Sequence, residues 1–204
     1  ATGGTWSGGN GTFAPGANTL NAIYTPTQTE IDSGGVTLTL TTSGNGDCLA
    51  VSDSLEITIT PAPVVNAGSD QTVCANNADV TLNGSVTIAT GGTWTGGNGS
   101  FAPDANTLGA IYTPTATEIA AGSVSLTLTS TGNGNCVAES DVMNITITPA
   151  PTVEAGPDQA VCSNNSDIDL NGSVTIATGG SWSGGLGSFA PNANTLSATY
   201  TPTP

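Results

Sequence analysis

The chain has 204 residues, 15 Asp and Glu, and no Lys, Arg or His, which gives a formal net charge of −15. A surface without side-chain cations cannot neutralise phosphates, so nucleic-acid binding has no electrostatic footing, and an anionic bilayer repels the chain. The same absence removes imidazole bases, Schiff-base lysines and His-ligated metals, and it leaves the many Ser and Thr hydroxyls without a side chain to activate them. The expectation is a protein that is not an enzyme.

In chain order, the first feature is repetition. Ala-Thr-Gly-Gly opens at Ala1, Ala89 and Ala177, and Trp6, Trp94 and Trp182 follow in register, as do Phe13, Phe101, Phe189 and Tyr24, Tyr112, Tyr200. Residues 1–88 and 89–176 share 63 identities in 88 positions. A unit of this size can bury a small core of its own, unlike the shorter units of solenoids that share one with their neighbours. The functional unit is therefore the array, and the sequence reads as a stretch of a longer one. Pro61-Ala62-Pro63 and Pro149-Ala150-Pro151 are the natural joints, because proline fixes φ and restricts the residue before it. They divide the chain into residues 1–62, the C-terminal part of one repeat; 63–150, a complete repeat; and 151–204, the N-terminal part of the next.

Within the complete repeat the apolar period is two. Val80 and Leu82, Val86 and Ile88, then Val124, Leu126 and Leu128, and finally Met143, Ile145 and Ile147 alternate with polar or small residues, the pattern of half-buried antiparallel strands. Asn83-Gly84, Asn98-Gly99 and Asn133-Gly134 offer left-handed turn residues between them. Thr115 to Glu118, closed by Gly122, has the spacing of a capping box with a C-terminal glycine and predicts one helical turn between strands. There is no long amphipathic helix, and no apolar run approaches the ~20 residues of a membrane span. The expected fold class is all-β: tandem antiparallel β-sandwich domains with an 88-residue period. Trp94, Phe101 and Tyr112 are expected as core anchors; an exposed aromatic would instead favour a platform for sugars.

Cys48, Cys74, Cys136 and Cys162 come in two pairs one period apart, and without His or a C-x-x-C spacing they point to disulfides in an oxidising, extracellular setting rather than to zinc. Loop entropy does not choose between a Cys74–Cys136 bond inside one domain and a Cys48–Cys74 bond across a joint. The intradomain pair is favoured because successive domains carry the chain onward. Cys48 and Cys162 are then left to cysteines outside the sequence.

Ala67-Gly-Ser-Asp-Gln-Thr-Val-Cys74, Val80-Thr-Leu-Asn-Gly-Ser85 and Gly91-Gly-Thr-Trp94 together resemble the opening of a PKD-like, immunoglobulin-like domain. Gly132-Asn-Gly-Asn-Cys136 and Asn144-Ile-Thr-Ile-Thr-Pro149 resemble the end of the repeats in very large surface adhesins of gliding bacteria, exported by the type 9 secretion pathway. This resemblance covers every period. It implies a secreted, cell-surface array whose partners are neighbouring repeats and, in a filament, identical chains; it brings no catalytic residues.

No cofactor is expected, with calcium as the one candidate. Asp167-Ile-Asp-Leu-Asn-Gly172 matches half of a calcium loop, D-x-D-x-N-G, but the twelfth position is Thr178 and the equivalent Asp79 segment lacks the second acid. Scattered carboxylates such as Asp70, Asp158, Glu139 and Asp141 are an alternative ligand source between domains. A hydrolytic Glu139–Asp141 pair is disfavoured because Val51 replaces Glu139 in the preceding repeat. Asn10-Gly-Thr12, Asn98-Gly-Ser100 and Asn144-Ile-Thr146 fit the N-glycosylation pattern and read first as turn residues. Three functions follow: an extended disulfide-stapled shaft of an adhesin or appendage, a protomer of a laterally assembled filament, and a multivalent glycan-binding module.

Overall fold

The computed structural model describes residues 1–203. The strands follow the sequence repeat. The first part holds β1 (Gly3–Ser7), β2 (Thr12–Ala14), β3 (Ile23–Thr25), α1 (Gln28–Ser33), β4 (Gly35–Ser43) and β5 (Ser52–Thr58). The complete repeat holds β6 (Val64–Asn66), β7 (Gln71–Cys74), β8 (Val80–Thr81), β9 (Ser85–Thr87), β10 (Gly91–Thr95), β11 (Ser100–Ala102), β12 (Ile111–Thr113), α2 (Ala116–Ala121), β13 (Ser123–Thr131) and β14 (Ser140–Thr148). The last part holds β15 (Thr152–Glu154), β16 (Ile168–Asp169), β17 (Ser173–Thr175), β18 (Ser188–Ala190) and β19 (Thr199–Thr201).

The complete repeat is an immunoglobulin-like β-sandwich. One layer is the four-stranded sheet β10-β13-β14-β7; the other is β11-β12-β8 with the β6-β9 ribbon. Alternation along the long hairpin sends Val124, Leu126 and Leu128 from β13 and Met143, Ile145 and Ile147 from β14 inward, where they meet Val80, Leu82, Ala110 and Tyr112. Trp94 crosses between the layers at 1% exposure, and its indole Nε1 donates to the Leu108 carbonyl at 3.2 Å. Ala67, Val80 and Leu82 come from the front of the repeat, and Leu126, Leu128, Met143 and Ile145 from its back. The core is thus assembled from both halves of a repeat.

Sequence expectation and structure part company at three places. Among the described residues the strands pair antiparallel except at one edge, where β7 runs parallel to β14 with Ile145 opposite Gln71 and Thr148 opposite Cys74. A chain that enters a sandwich and swaps sheets after a few residues must lie parallel to the last strand, so this edge follows from topology rather than from side-chain pattern. Of the three Asn-Gly pairs, only Asn133-Gly134 places its glycine at positive φ (60°). Gly84 serves close packing instead: a Cβ there would sit 2.7 Å from Trp94 and Leu128 side-chain carbons.

Ile88 does not continue the alternation of Val86. It lies just beyond β9 with φ +73°, 56% exposed, and Ile176 repeats this at φ +67°. A β-branched side chain in the left-handed region stores on the order of 1–3 kcal/mol of strain. Ile88→Asn, which tolerates that region, is expected to raise the stability of the repeat by roughly 1 kcal/mol in urea titration; no change would mean that contacts at the joint already offset the strain.

Candidate functional site

The expected helical turn forms twice, and its caps do more than end a helix. Thr115 caps α2: its Oγ1 accepts from the Glu118 N–H while the Glu118 carboxylate accepts from the Thr115 N–H, and Gly122 closes the helix at φ 80°. Glu118 is buried although it carries a charge and no cation exists to pair with it. Hydrogen bonds replace the ion pair. Oε1 accepts from the Asn98 N–H at 2.7 Å and the Tyr112 hydroxyl at 2.8 Å, and Oε2 accepts from the Thr115 N–H at 2.8 Å and the Thr115 hydroxyl at 2.9 Å. The Tyr112 oxygen in turn accepts from the Gly99 N–H at 2.9 Å. The four donors fill the in-plane lone pairs of both carboxylate oxygens, so the group ties the β10–β11 turn, β12 and α2 together and has no free face for a substrate.

Burial pushes the Glu118 carboxyl up, but the Thr115 and Asn98 amides and the two hydroxyls outweigh it and hold it at about 2, below its ordinary 4.5. Burial, reinforced by Glu118, pushes Tyr112 up to about 12. Both groups keep the charge state that the network needs at neutral pH. Because the folded-state carboxyl pKa is depressed, its stabilisation is complete above pH 4.5 and is lost as pH falls from 4.5 towards 2. Wild type and Glu118→Gln melts measured across that interval should converge; a constant gap would exclude the carboxylate as the titrating group. The same set recurs as Glu30, Tyr24, Asn10, Gly11 and Thr27 in the first part. The capping box is legible in the sequence, whereas the tyrosine's part in it shows there only as a six-residue spacing to the glutamate, repeated at Tyr24 and Glu30.

The anticipated aromatics lie in the core. Trp94 and Tyr112 are buried, and the half-buried Phe101 packs on Tyr112 with ring centroids 4.9 Å apart. The carboxylates considered for calcium are dispersed. Asp70 accepts from the Asn144 N–H at 2.8 Å, and Asp141 from the Ala67 N–H at 2.9 Å, each bracing the entry segment against β14. Asp169 sits on β16 and accepts from the Thr199 hydroxyl at 2.9 Å. Among the described residues no three acidic or cysteine side chains converge to hold a metal ion.

The cysteines depart from expectation. All four are free thiols, and the anticipated Cys74–Cys136 bond is not formed. Cys74 lies opposite Thr148, the last residue of β14, whereas Cys136 lies in the loop before Ser140, its first. Nine residues of strand separate the two ends, about 26 Å at ~3.3 Å per step, far beyond the 4.4–6.8 Å that a disulfide allows between Cα atoms. A Cys48–Cys74 bond fails as well: Cys48 lies in the β4–β5 loop, the length of β5 ahead of the joint, while Cys74 lies at the far end of the domain that follows it.

What Cys136 does touch is the end of the preceding repeat. Its Sγ lies 3.3 Å from the Thr60 Oγ1 and 3.4 Å from the Pro61 carbonyl oxygen. Thr60, Ile88 and residues 132–136 line a cleft of about 330 Å³ at this joint, and Pro63, three residues after Thr60, is buried. The chain therefore enters the domain beside the β13–β14 loop and leaves at the far end of β14.

No family model matches the sequence, and no curated protein matches it. Solved structures do. Mouse cadherin-23 EC22–24 aligns at 14% identity over 98% of this chain and 76% of its own, with a TM-score of 0.44. Drosophila N-cadherin EC1–3 aligns at 14% identity over 74% of this chain and 57% of its own, TM-score 0.35, and Sidekick-1 immunoglobulin domains 1–5 at 14% identity over 98% and 48%, TM-score 0.34. The chain spans little more than half the length of the second and under half of the third.

Proposed function

We propose that the chain is part of the shaft of an extracellular adhesin or appendage, an extended row of β-sandwich repeats that holds a binding element away from a surface. The observation that carries this reading is the placement of entry and exit at opposite ends of β14, with Cys136 against Thr60 and Pro61 at one end and Thr148 at the other. Repeats joined this way add length. Buried Pro63 and the strained Ile88 at the joint favour a stiff connection over a free hinge. The absence of Lys and Arg removes the sites at which trypsin-like proteases cut, which suits an exposed location. The likeness of Gly132–Cys136 and Asn144–Pro149 to the repeats of type 9-secreted surface adhesins supports a bacterial cell-surface setting.

Electron microscopy of an intact multi-repeat chain tests this. Thin beaded strands one domain wide are expected. A regular fibre several domains wide would overturn the shaft in favour of a laterally assembled filament. Binding of glycan arrays with quenching of Trp94 fluorescence would favour the glycan-binding module, which the burial of Trp94 and Tyr112 now opposes.

A further inference from the structure

The two cysteines of a repeat face opposite joints, and the repeat itself says what each faces. Cys74 Sγ lies 3.7 Å from the carbonyl oxygen of Pro149, at the exit of its own domain. Cys136 Sγ lies 3.4 Å from the carbonyl oxygen of Pro61, at the exit of the preceding domain. Pro61 and Pro149 are the same position one period apart. Where a complete repeat follows Pro149, its counterpart of Cys136 comes to the carbonyl that Cys74 already touches. Sulfurs 3.7 and 3.4 Å from one oxygen are at most about 7 Å apart, within reach of side-chain rotation.

We infer that successive repeats are cross-linked by a disulfide between the Cys74 position of one and the Cys136 position of the next. One further feature fits: the turn after the first cysteine is the same in both copies, with Cys74 bridged to Asn77 and Cys162 to Asn165.

The oxidant is a small-molecule disulfide or the disulfide of a thiol oxidoreductase. One cysteine thiolate attacks it, forming a mixed disulfide and expelling one thiolate; the second cysteine attacks the mixed disulfide and expels the other. Two protein S–H bonds are lost, one S–S bond forms, the oxidant's S–S bond breaks, and its sulfurs leave as two thiols carrying the two protons.

The inference rests on the head-to-tail shaft, and it is tested separately. The chain extended after Pro204 by a copy of residues 117–150 has a completed third repeat. After oxidation of the Cys136→Ser form of this chain with glutathione disulfide, so that the appended cysteine lies in a peptide of its own mass, cleavage at Asp and Glu and mass spectrometry without reduction should find Cys74 joined to the appended cysteine, with Cys48 and Cys162 still free. Adding Cys74→Ser should abolish the bond. A link from Cys74 to any other cysteine, four free thiols, or bonds only between separate chains would each overturn it, whether or not microscopy shows a beaded strand. Force spectroscopy of the oxidised array gives a second reading. An unlinked repeat of 88 residues pays out about 320 Å when pulled straight; a Cys74–Cys136 bond would cut this to about 90 Å, whereas bonds across every joint leave the 62 steps between Cys74 and Cys136, about 220 Å.

Discussion

Glu118→Ala should cost the complete repeat about 3 kcal/mol, measured by chemical denaturation of the full chain at pH 7, because it strands the Asn98 amide, the Thr115 amide and the Tyr112 hydroxyl at a site with little water. A domain of 88 residues has on the order of 4–13 kcal/mol in total. The loss is therefore a large share of its stability, although the substitution touches no apolar core residue. Glu118→Gln keeps the shape but turns one acceptor into a donor. At Oε1 the Tyr112 hydroxyl can reverse while the Asn98 amide cannot, so the expected loss is smaller, about 1–2 kcal/mol. Equal effects from the two substitutions would mean that side-chain volume, and not the saturated carboxylate, is what the site requires.

Trp94→Ala is expected to be more damaging, about 3–5 kcal/mol, and enough to unfold a repeat of modest stability. The indole lies between the layers against Gly84, and at 1% exposure its removal empties a fully buried space. Trp94→Phe keeps part of the packing but leaves the Leu108 carbonyl without its indole donor and should lose roughly half as much. Circular dichroism and tryptophan fluorescence of the full chain separate the cases, since Trp6 and Trp182 report on the incomplete repeats. If Trp94→Ala melts with the wild type, the indole is not an anchor of the core.

Both variants also bear on the surface reading. An array under tension is only as strong as the sheet that spans it, here β10-β13-β14-β7; Trp94 anchors β10 of that sheet in the core, and the Glu118 network ties the β10–β11 turn to β12 and α2. Alkaline conditions act on the same bracing from the other side. The Tyr112 pKa is raised, so its contribution holds below pH 10 and is lost as pH climbs towards about 12.

The repetition, the β13 and β14 strands and the capped helical turn are local, and the sequence by itself determined them. Period-two apolar spacing needs only a sheet with one buried face, and the box from Thr115 to Glu118 satisfies itself within four residues. It also determined the charge of the surface, because absent side-chain cations cannot be supplied by folding. What only the tertiary structure decided depends on residues brought together from far apart. The parallel β7–β14 edge puts Cys74 at one end of the domain and leaves Cys136 at the other, so an intradomain pairing expected because successive domains carry the chain onward does not survive the register. Ile88 has the apolar character of a strand residue, but the turn after β9 holds it at positive φ and exposes it at the joint. The buried Glu118 reads as an ordinary cap until Tyr112 and the Asn98 amide close over it, because a charge survives without a cation only where the fold delivers enough donors to take the place of water.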